Sequence, residues 1–513
     1  MAARRFVSSV CGFLSSIFAL LLIIVITRTF VLAPRKHSAE PCQPQDTDFI
    51  KVEGELLERF QAAIRFQGVS YTPHVYNGEE LAKTRDFIIK SYPKVHSSPL
   101  VEYEVVANYS LLYTVRGSDA LLTPFLLMGH FDVVPVENRE KWEEDPFGGN
   151  VKNGFIYGRG TIDNKQTVFG ILESVEYLLK NGFQPKRSFY LAFGHDEETG
   201  GLEGAAGLAE RLREKGVEKL EFVLDEGMTV LDGIVPGLDK PVALIGSSEK
   251  GSLTLKMSIN CTGGHSSMPE KESCIGAMAR AVSLLENNPQ PSMFGTGPEK
   301  ATFEHIAHKM ALPFRVVMSN LWLFTPAVSW MLSRKPTTNA IIRTTTAVTM
   351  FNAGVKVNVI APYAEVVVNH RIHPSSTVQE TLNYDKQLVN DPRIQWDIIA
   401  AYEPLPKSPY GDTDFGYQTI RMSAEQVWAY AGVVVAPATL IANTDTRHYL
   451  NFSENIYRFS PTYMYPDDPP RFHGVNERIS VKNWEQAVNF YLHLIKNADE
   501  AKLQPLHSHG HEL

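Results

Sequence analysis

The chain has 513 residues, enough for two or three domains at about 150 residues each. Hydrophobic residues make up 44% and charged residues 21%, which is the usage of a folded protein and excludes a mainly disordered chain. The net charge is −8, and the absence of a basic block from an acidic chain argues against nucleic acid as a partner.

The N-terminal segment, residues 1–33, is predicted to direct the chain into the secretory pathway. Two arginines precede an apolar run from Val10 to Ile26, which fits the hydrophobic region of a cleaved signal peptide. The alternative is an uncleaved anchor extended by residues 29–33, since Pro34 spoils a cleavage site after Ala33. We expect a secreted protein or, alternatively, a membrane-anchored one with its body in the lumen or outside the cell.

Residues 34–48 are rich in Pro and polar residues, which indicates a linker. From 49 to 246, apolar runs alternate with helical patterns, which predicts βαβ units around a mostly parallel sheet. Strand-like runs start at Phe125, Phe189 and Phe222, and helices are predicted from about Val168 to Gly182 and over 200–215. These elements predict the first part of an α/β domain.

Residues 247–403 differ from the α/β pattern of residues 49–246, because their predicted strands alternate apolar and polar positions. Leu253 to Ile259 is predicted to be a half-exposed strand, and the apolar face of the next helix includes Ile275 and Met278. This pattern predicts a small α+β domain inserted into the α/β domain.

The α/β pattern resumes over 404–500 and closes with a helix whose predicted N-cap is Ser480. One domain is therefore expected to interrupt the other. The last residues, 501–513, are expected to form a flexible tail.

One stretch of the inserted region, residues 311–332, is unusually apolar. Arg315 and Asn320 argue against a membrane span there. We expect the core of the inserted domain or a dimer face; the alternative is a surface that holds a long acyl chain.

Three Asn-x-Ser/Thr sequons, at Asn108, Asn260 and Asn451, agree with export and are candidate glycosylation sites. Cys261 and Cys274 could pair with each other. Cys274 falls on the apolar face of a predicted helix, however, so we expect a buried free thiol there.

The apolar runs of the α/β domain stop at histidines and carboxylates. The residues concerned are His130 and Asp132 after the first run, His195 to Glu198 after the second, Asp225 and Glu226 after the third, and Asp163 just before the first helix. Since ligands of open α/β sheets bind outside the carboxyl ends of the strands, we expect these groups in one crevice.

So many carboxylates in one crevice need a compensating charge, and one or two divalent metal ions would supply it. Histidine and carboxylate ligands without thiolates suit zinc, with manganese or cobalt as alternatives. Other chemistries are poorly supported, because the chain has no G-x-S-x-G elbow, no H-E-x-x-H helix and no phosphate loop.

Four motifs in order, H-F-D-V-V-P, G-R-G-T-I-D-N-K, H-D-E-E-T-G-G and R-F-H-G-V-N-E, resemble the aminoacylase and glutamate-carboxypeptidase family of dizinc amidohydrolases. The resemblance runs from about residue 50 to 500. It implies a zinc-peptidase-like catalytic domain over 49–246 and 404–500, with 247–403 as a lid or dimerisation domain. The segments between the motifs most resemble family members that act on N-fatty-acyl amino acids.

The resemblance also implies a set of metal ligands: Asp163 bridging two zinc ions, His130 and Asp225 on one, and Glu198 and His473 on the other. Glu197 would be the general base for the metal-activated water. Asp132 would lie behind His130 and fix the tautomer of its ring, which would make Asp132 a catalytic residue without being a metal ligand.

From the inserted domain, the resemblance implies that His265 stabilises the oxyanion, often from a partner subunit. Asn358 and Arg371 match positions that touch substrate. Arg447 is a candidate for binding the substrate carboxylate, because a guanidinium binds carboxylates with two hydrogen bonds. A plain surface or interface role is the alternative for each.

The predicted function is hydrolysis, and reversible formation, of the amide bond of N-acyl amino acids, with fatty acyl chains preferred. A zinc carboxypeptidase or dipeptidase is the first alternative, and a non-catalytic binding protein is the second. The resemblance leaves open a homodimer through the lid and an association with lipid or lipoprotein.

Overall fold

The computed structural model describes residues 2–31 and 49–500, so the predicted linker at 34–48 and tail at 501–513 lie outside the described residues. The helices are α1 (Ala2–Phe30), α2 (Glu55–Ile64), α3 (Gly78–Ser91), α4 (Pro93–Ser97), α5 (Lys165–Lys180), α6 (Gly204–Glu214), α7 (Cys274–Asn287), α8 (Glu299–Ile306), α9 (Leu312–Ser319), α10 (Leu321–Leu332), α11 (Pro336–Ile342), α12 (Val378–Val389), α13 (Phe415–Trp428) and α14 (Val481–Ala498). The strands are β1 (Ser70–Thr72), β2 (Val75–Tyr76), β3 (Val101–Val106), β4 (Ser110–Val115), β5 (Phe125–His130), β6 (Val151–Lys152), β7 (Phe155–Tyr157), β8 (Phe189–Gly194), β9 (Val223–Leu231), β10 (Val242–Glu249), β11 (Gly251–Asn260), β12 (Gly264–His265), β13 (Thr345–Ala353), β14 (Val359–Ile360), β15 (Tyr363–Ile372), β16 (Gln395–Tyr402), β17 (Val434–Leu440), β18 (Ile456–Met464) and β19 (Arg478–Ser480).

The main sheet has eight strands in the order β17-β10-β18-β9-β5-β8-β4-β3. The pairs β10–β17, β9–β18, β5–β9 and β5–β8 are parallel, whereas β3, β4 and the β10–β18 pair add antiparallel contacts. β5, β8 and β9 confirm the three predicted strands, and α5 and α6 confirm the predicted helices. The apolar runs could be read from the sequence because strands covered on both faces are continuously hydrophobic.

Helices α5 and α14 pack side by side on this sheet and fill the largest core. Ser174 of α5 donates to the carbonyl oxygen of Val488, and Phe60 stacks on Trp484 with ring centroids 4.0 Å apart. The predicted cap of α14 is confirmed, since the Ser480 side chain accepts the backbone N–H of Asn483. This packing covers one face of the main sheet, whose parallel strands end at the site described below.

A second, antiparallel sheet has the order β13-β15-β11-β16. β11 behaves as predicted for a half-exposed strand: Leu253, Leu255, Met257 and Ile259 are buried under α7 and α12, whereas Thr254 and Lys256 on the other face are partly exposed. Ile275 of α7 was predicted to face the core, yet 43% of it is exposed. The buried face of α7 is instead formed by Cys274, Ala277, Met278, Ala281 and Leu285.

Cys261 and Cys274 form a disulfide, with Cα atoms 5.8 Å apart, so the prediction of a free thiol is wrong. Cys274 is fully buried, as its place on the helix face indicated. Its partner Cys261 directly follows β11, and helix periodicity by itself does not reveal a contact between two elements.

The apolar stretch at 311–332 forms α9 and α10 and does not build the core of the second sheet. Its buried side chains pack with those of β10 and β17 at the edge of the main sheet, including Leu244 and Val434. Within the described residues, α1 contains the one helix, Gly12–Phe30, that is long and apolar enough to cross a membrane. The C-terminal part of α1 lies against α9.

Candidate active site

The site is built at the carboxyl ends of β5, β8 and β9. β5 is buried along its whole length, so its last residue, His130, reaches the crevice while only 1% of it is exposed. Gly129 permits the start of α5 to approach, because a Cβ there would lie 3.0 Å from the Asn164 Oδ1 atom. Asp163, which directly precedes Asn164, is thereby brought beside His130.

Asp163 lies between two histidines that are 343 residues apart in the chain (473 minus 130). Its Oδ1 is 3.2 Å from His130 Nε2, and its Oδ2 is 2.9 Å from His473 Nε2. His473 also lies 3.3 Å from Glu198 Oε2. A carboxylate that offers one oxygen to each of two histidine-lined positions has the geometry of a bridging ligand.

Asp132, fully buried, organises the turn after β8. Its two carboxylate oxygens accept the backbone N–H groups of Glu197 and Glu198 at 3.2 and 3.3 Å, and its Oδ1 lies 3.2 Å from His130 Nδ1. Gly201, at φ 64°, closes the turn in a backbone conformation where a Cβ would collide with Asp445. Asp132 therefore orients His130 and both glutamates together.

Glu226 approaches the site more closely than Asp225, the residue implied by the family resemblance. Glu226 Oε2 is 3.3 Å from His130 Nε2, and Glu197 Oε2 is 4.0 Å from the same atom. Asp225 is also buried, and its Oδ1 accepts the Glu226 backbone N–H at 2.9 Å. The sequence placed Glu226 in the crevice but assigned the ligand role to Asp225 alone, so the approach of Glu226 to His130 was not predicted.

Glu477 was missed, although it is the last residue of the R-F-H-G-V-N-E motif. It is fully buried, pairs with Arg159 at 2.7 Å and accepts the backbone N–H groups of Gly160 and Ile162. Arg159 in turn donates to the carbonyl oxygen of His473. The pair thus joins the two loops that carry Asp163 and His473.

We expect Glu477→Gln to lower the free energy of unfolding by about 3–5 kcal/mol, because it leaves Arg159 buried without its carboxylate. Denaturant titration after metal chelation measures this change. The matched control is Glu53→Gln, which breaks an exposed pair with Lys51 and should cost less than about 1 kcal/mol. Equal losses in the two variants would contradict a structural role for the buried pair.

The carboxylates of the site repel one another. Burial, and then the neighbouring Glu226, raises the pKa of Glu197 well above its usual range. Burial and the adjacent Asp163 raise the pKa of Glu198 to about 7, and burial raises that of Asp225 to about 6. These acids stay ionised together only where a cation compensates their charge.

The donor set fits a divalent metal ion. Two groups of side chains, His130–Asp163–Glu198 and His130–Glu197–Glu226, each bring one donor atom from every member within 4.8 Å of the others. Glu198 Oε1 and Asp225 Oδ2 are buried without a hydrogen-bond partner in the described residues. Imidazole nitrogens, carboxylate oxygens and no thiolate are the ligands of hydrolytic metal centres.

His265 and Asn358 are brought together, but away from this cluster. His265 is exposed on β12, and the neighbouring Ser266 donates its backbone N–H to the Asn358 carbonyl oxygen. Nothing in the described part of this one chain joins His265 to the carboxylates by a hydrogen bond or ion pair.

Arg371 and Arg447 are linked to each other through Asn443 and Tyr402. Arg371 donates to the Asn443 side chain, which also accepts from the Tyr402 hydroxyl. Arg447 lies over the Tyr402 ring, 5.0 Å from its centroid, and Glu197 is among the charges that act on it. Tyr402 and Asn443 thus support both guanidinium groups.

The turn that carries Arg447 is anchored by a buried ion pair. Glu249 and Arg458 are both fully buried and meet at 2.8 Å. Glu249 also accepts hydrogen bonds from the backbone N–H and hydroxyl of Thr444. The position of the turn that carries Arg447 is therefore set by β10 and β18, two inner strands of the main sheet.

The three sequon asparagines, Asn108, Asn260 and Asn451, are all exposed. Their glycosylation stays a prediction.

Comparison with known proteins gives the family. The family model described as peptidase family M20/M25/M40 matches residues 126–497. N-fatty-acyl-amino acid synthase/hydrolase PM20D1.1 of Danio rerio is 47% identical over 513 residues, covering 98% of each chain. PM20D1 of Homo sapiens, named as the same activity, is 43% identical over 504 residues and covers 98% of this chain and 99% of its own.

Among solved structures, the M20 family metallo-carboxypeptidase Sso-CP2 from Sulfolobus solfataricus has a TM-score of 0.63 at 16% identity, covering 87% of this chain and all of its own. The chain belongs to peptidase family M20/M25/M40. This confirms the predicted family resemblance, the α/β fold class with a mostly parallel sheet, and the prediction of a metal-dependent hydrolase.

Proposed function

We propose that this enzyme hydrolyses the amide bond of N-fatty-acyl amino acids, and forms it in the reverse direction, with two zinc ions in its site. The observation that carries the proposal is Asp163 between His130 and His473, with Glu197 beside them. The substrate class is supported by near-full-length relatives named as N-fatty-acyl-amino acid synthase/hydrolases. Manganese or cobalt would suit the same donors.

The metal ligands would divide into two sets that share Asp163. His130 with Asp225 or Glu226 would hold one ion, and Glu198 with His473 would hold the other. When bound, two such cations polarise a scissile carbonyl and lower the pKa of water.

Glu197 is proposed as the general base. It takes a proton from the attacking water on a carboxylate oxygen and delivers that proton to the leaving amide nitrogen. Asp132 keeps Glu197 in place through its backbone N–H and keeps the His130 ring oriented through Nδ1. The same proton transfers run backwards in condensation, so the direction depends on the concentrations of acid, amine and amide.

Arg447, supported by Arg371, is proposed to bind the carboxylate of the amino-acid part. Replacing Arg447 by Met should raise KM for N-oleoyl-phenylalanine roughly 10- to 100-fold, the loss of one charge-assisted interaction. Hydrolysis of N-oleoyl-phenethylamine, which lacks the carboxylate, should change little. The control Arg421→Met removes a guanidinium that pairs with Glu425 on α13. Equal effects on both substrates would contradict this role.

His265 is proposed to stabilise the oxyanion from a second subunit, with Asn358 beside it. The exposure of this pair away from its own chain's carboxylates supports a homodimer formed through the lid.

We propose that the catalytic body lies outside the cytosol, with α1 as signal peptide or anchor. A disulfide between Cys261 and Cys274 and three exposed sequons support an oxidising, exported environment.

The function is tested by incubating the purified enzyme with N-oleoyl-phenylalanine and, separately, with a dipeptide, and following the products by mass spectrometry. Release of oleate by the wild type and not by Glu197→Gln, with the dipeptide intact, supports the proposal. Cleavage of the dipeptide alone would identify a peptidase with the same metal site. Cleavage of neither substrate would favour a binding protein.

A further inference from the structure

The chain crosses from the main sheet to the second sheet and back at two points that touch. The first crossing is Lys250, the one residue between β10 and β11, and the second follows β16. The backbone N–H of Leu405 donates to the Glu249 carbonyl oxygen at 3.2 Å. A Cβ on Gly251 would lie 2.6 Å from the backbone nitrogen of Pro404. Any change in how the second sheet is turned relative to the main sheet therefore acts on this contact.

Asn443, in the loop after β17, is bonded to both crossings and to the second sheet. Its amide nitrogen donates to the Lys250 carbonyl oxygen at 2.7 Å and to Glu249 Oε1 at 3.1 Å. Its amide oxygen accepts the hydroxyl of Tyr402, at the end of β16, and a guanidinium N–H of Arg371, on β15. A primary amide has donors at one end and an acceptor at the other, so it can bond to the crossings and to the arginine at the same time.

The two guanidinium groups beside Asn443 come from different parts of the molecule. Arg371 lies on the second sheet, whereas Arg447 lies in the same segment as Asn443, after β17. Arg371 donates to the Asn443 amide oxygen, and Arg447 donates to a backbone carbonyl oxygen of its own turn. In the described part of the chain, neither guanidinium group is paired with a carboxylate. Both are therefore free to bind a carboxylate that a ligand supplies.

We propose that Asn443 is a positioning residue that sets the orientation of the second sheet so that Arg371 and Arg447 bind the same substrate carboxylate, a role that rests on the proposed binding of that carboxylate by Arg447. Asn443 acts through the two arginines and not on the reacting bond. Without its amide, Arg371 loses its link to the segment that carries Arg447, and the two guanidinium groups no longer keep a fixed spacing. A substrate that lacks the carboxylate makes no use of that spacing.

Kinetics with N-oleoyl-phenylalanine and N-oleoyl-phenethylamine test this role. Asn443→Ala should raise KM for N-oleoyl-phenylalanine roughly 3- to 10-fold, the range for one lost hydrogen bond, while kcat changes less than about twofold. KM for N-oleoyl-phenethylamine and the metal content of the same samples should stay unchanged. The matched control Asn369→Ala removes an amide that bonds to Thr254 within the second sheet, and both KM values should then equal those of the wild type.

Two further variants separate positioning from a structural role. In Asn443→Ala/Arg371→Met, the rise in KM for N-oleoyl-phenylalanine should be smaller than the product of the two single rises, because the two residues act through one interaction. Asn443→Asp fills the same space, but its charge pairs with Arg371, so KM for this substrate should rise more than in Asn443→Ala.

Three results would overturn the proposal: multiplicative effects in the double variant, a lower KM in Asn443→Asp than in Asn443→Ala, or equal rises in KM for the two substrates. If Arg371→Met and Arg447→Met leave KM unchanged, the carboxylate site itself is wrong, and the role of Asn443 is wrong with it. If both arginine variants raise KM and Asn443→Ala does not, only the role of Asn443 is wrong.

Discussion

Replacing Asp163 by Asn should remove both metal ions and reduce kcat/KM at least roughly a thousandfold, about 4 kcal/mol of transition-state stabilisation. The reason is that one carboxylate faces His130 with Oδ1 and His473 with Oδ2, so neither metal position keeps its shared ligand. Metal content by inductively coupled plasma mass spectrometry, together with hydrolysis of N-oleoyl-phenylalanine, measures the effect.

The matched control is Glu203→Gln, which neutralises a carboxylate in the neighbouring His195–Asp196–Glu203 group. This variant should retain its metal and most of its activity. If Asp163→Asn keeps one metal equivalent per chain, Asp163 does not bridge the two positions.

Replacing Glu197 by Gln should lower kcat about 10²- to 10⁴-fold, the usual contribution of a general base, while the metal content stays unchanged. The amide fills the same space but cannot accept the proton. Rates at saturating N-oleoyl-phenylalanine and metal analysis of the same samples give both quantities.

The Glu226→Gln variant distinguishes the role of Glu226 from that of Glu197. Because Glu226 lies 3.3 Å from His130 Nε2, we expect this variant to lose metal affinity as well as rate. If Glu197→Gln loses metal and Glu226→Gln keeps it, Glu197 is the metal ligand and Glu226 is the general base.

Much of the fold could be predicted because local patterns and tertiary environment agree. β5 and β8 are continuous apolar runs, since both faces of the main sheet are covered, and α5 shows helical spacing along its buried side. The same agreement holds for β11, whose apolar positions Leu253, Leu255, Met257 and Ile259 are buried under α7 and α12 while Thr254 and Lys256 are partly exposed. Pattern and environment diverge at Ile275, which is apolar but 43% exposed on α7.

The cluster around Asp163 could also be predicted, because the carboxyl ends of neighbouring parallel strands must meet at one edge of the sheet. The sequence could not predict whether Asp225 or Glu226 lies nearer to His130. Asp225 and Glu226 are adjacent in sequence and the register of β9 shifts at this point, so only the folded strand determines which of the two faces the histidine.

The sequence by itself determined the family, the order of the strands that end in histidine and carboxylate, and the apolar helix at the start. The tertiary structure alone decided that Cys261 meets Cys274, that Glu226 faces His130, and that Glu477 pairs with Arg159. Each of these contacts joins residues on different structural elements, or depends on which side of a strand a residue faces. Local propensity describes one element at a time, so contacts between elements depend on how their faces pack together.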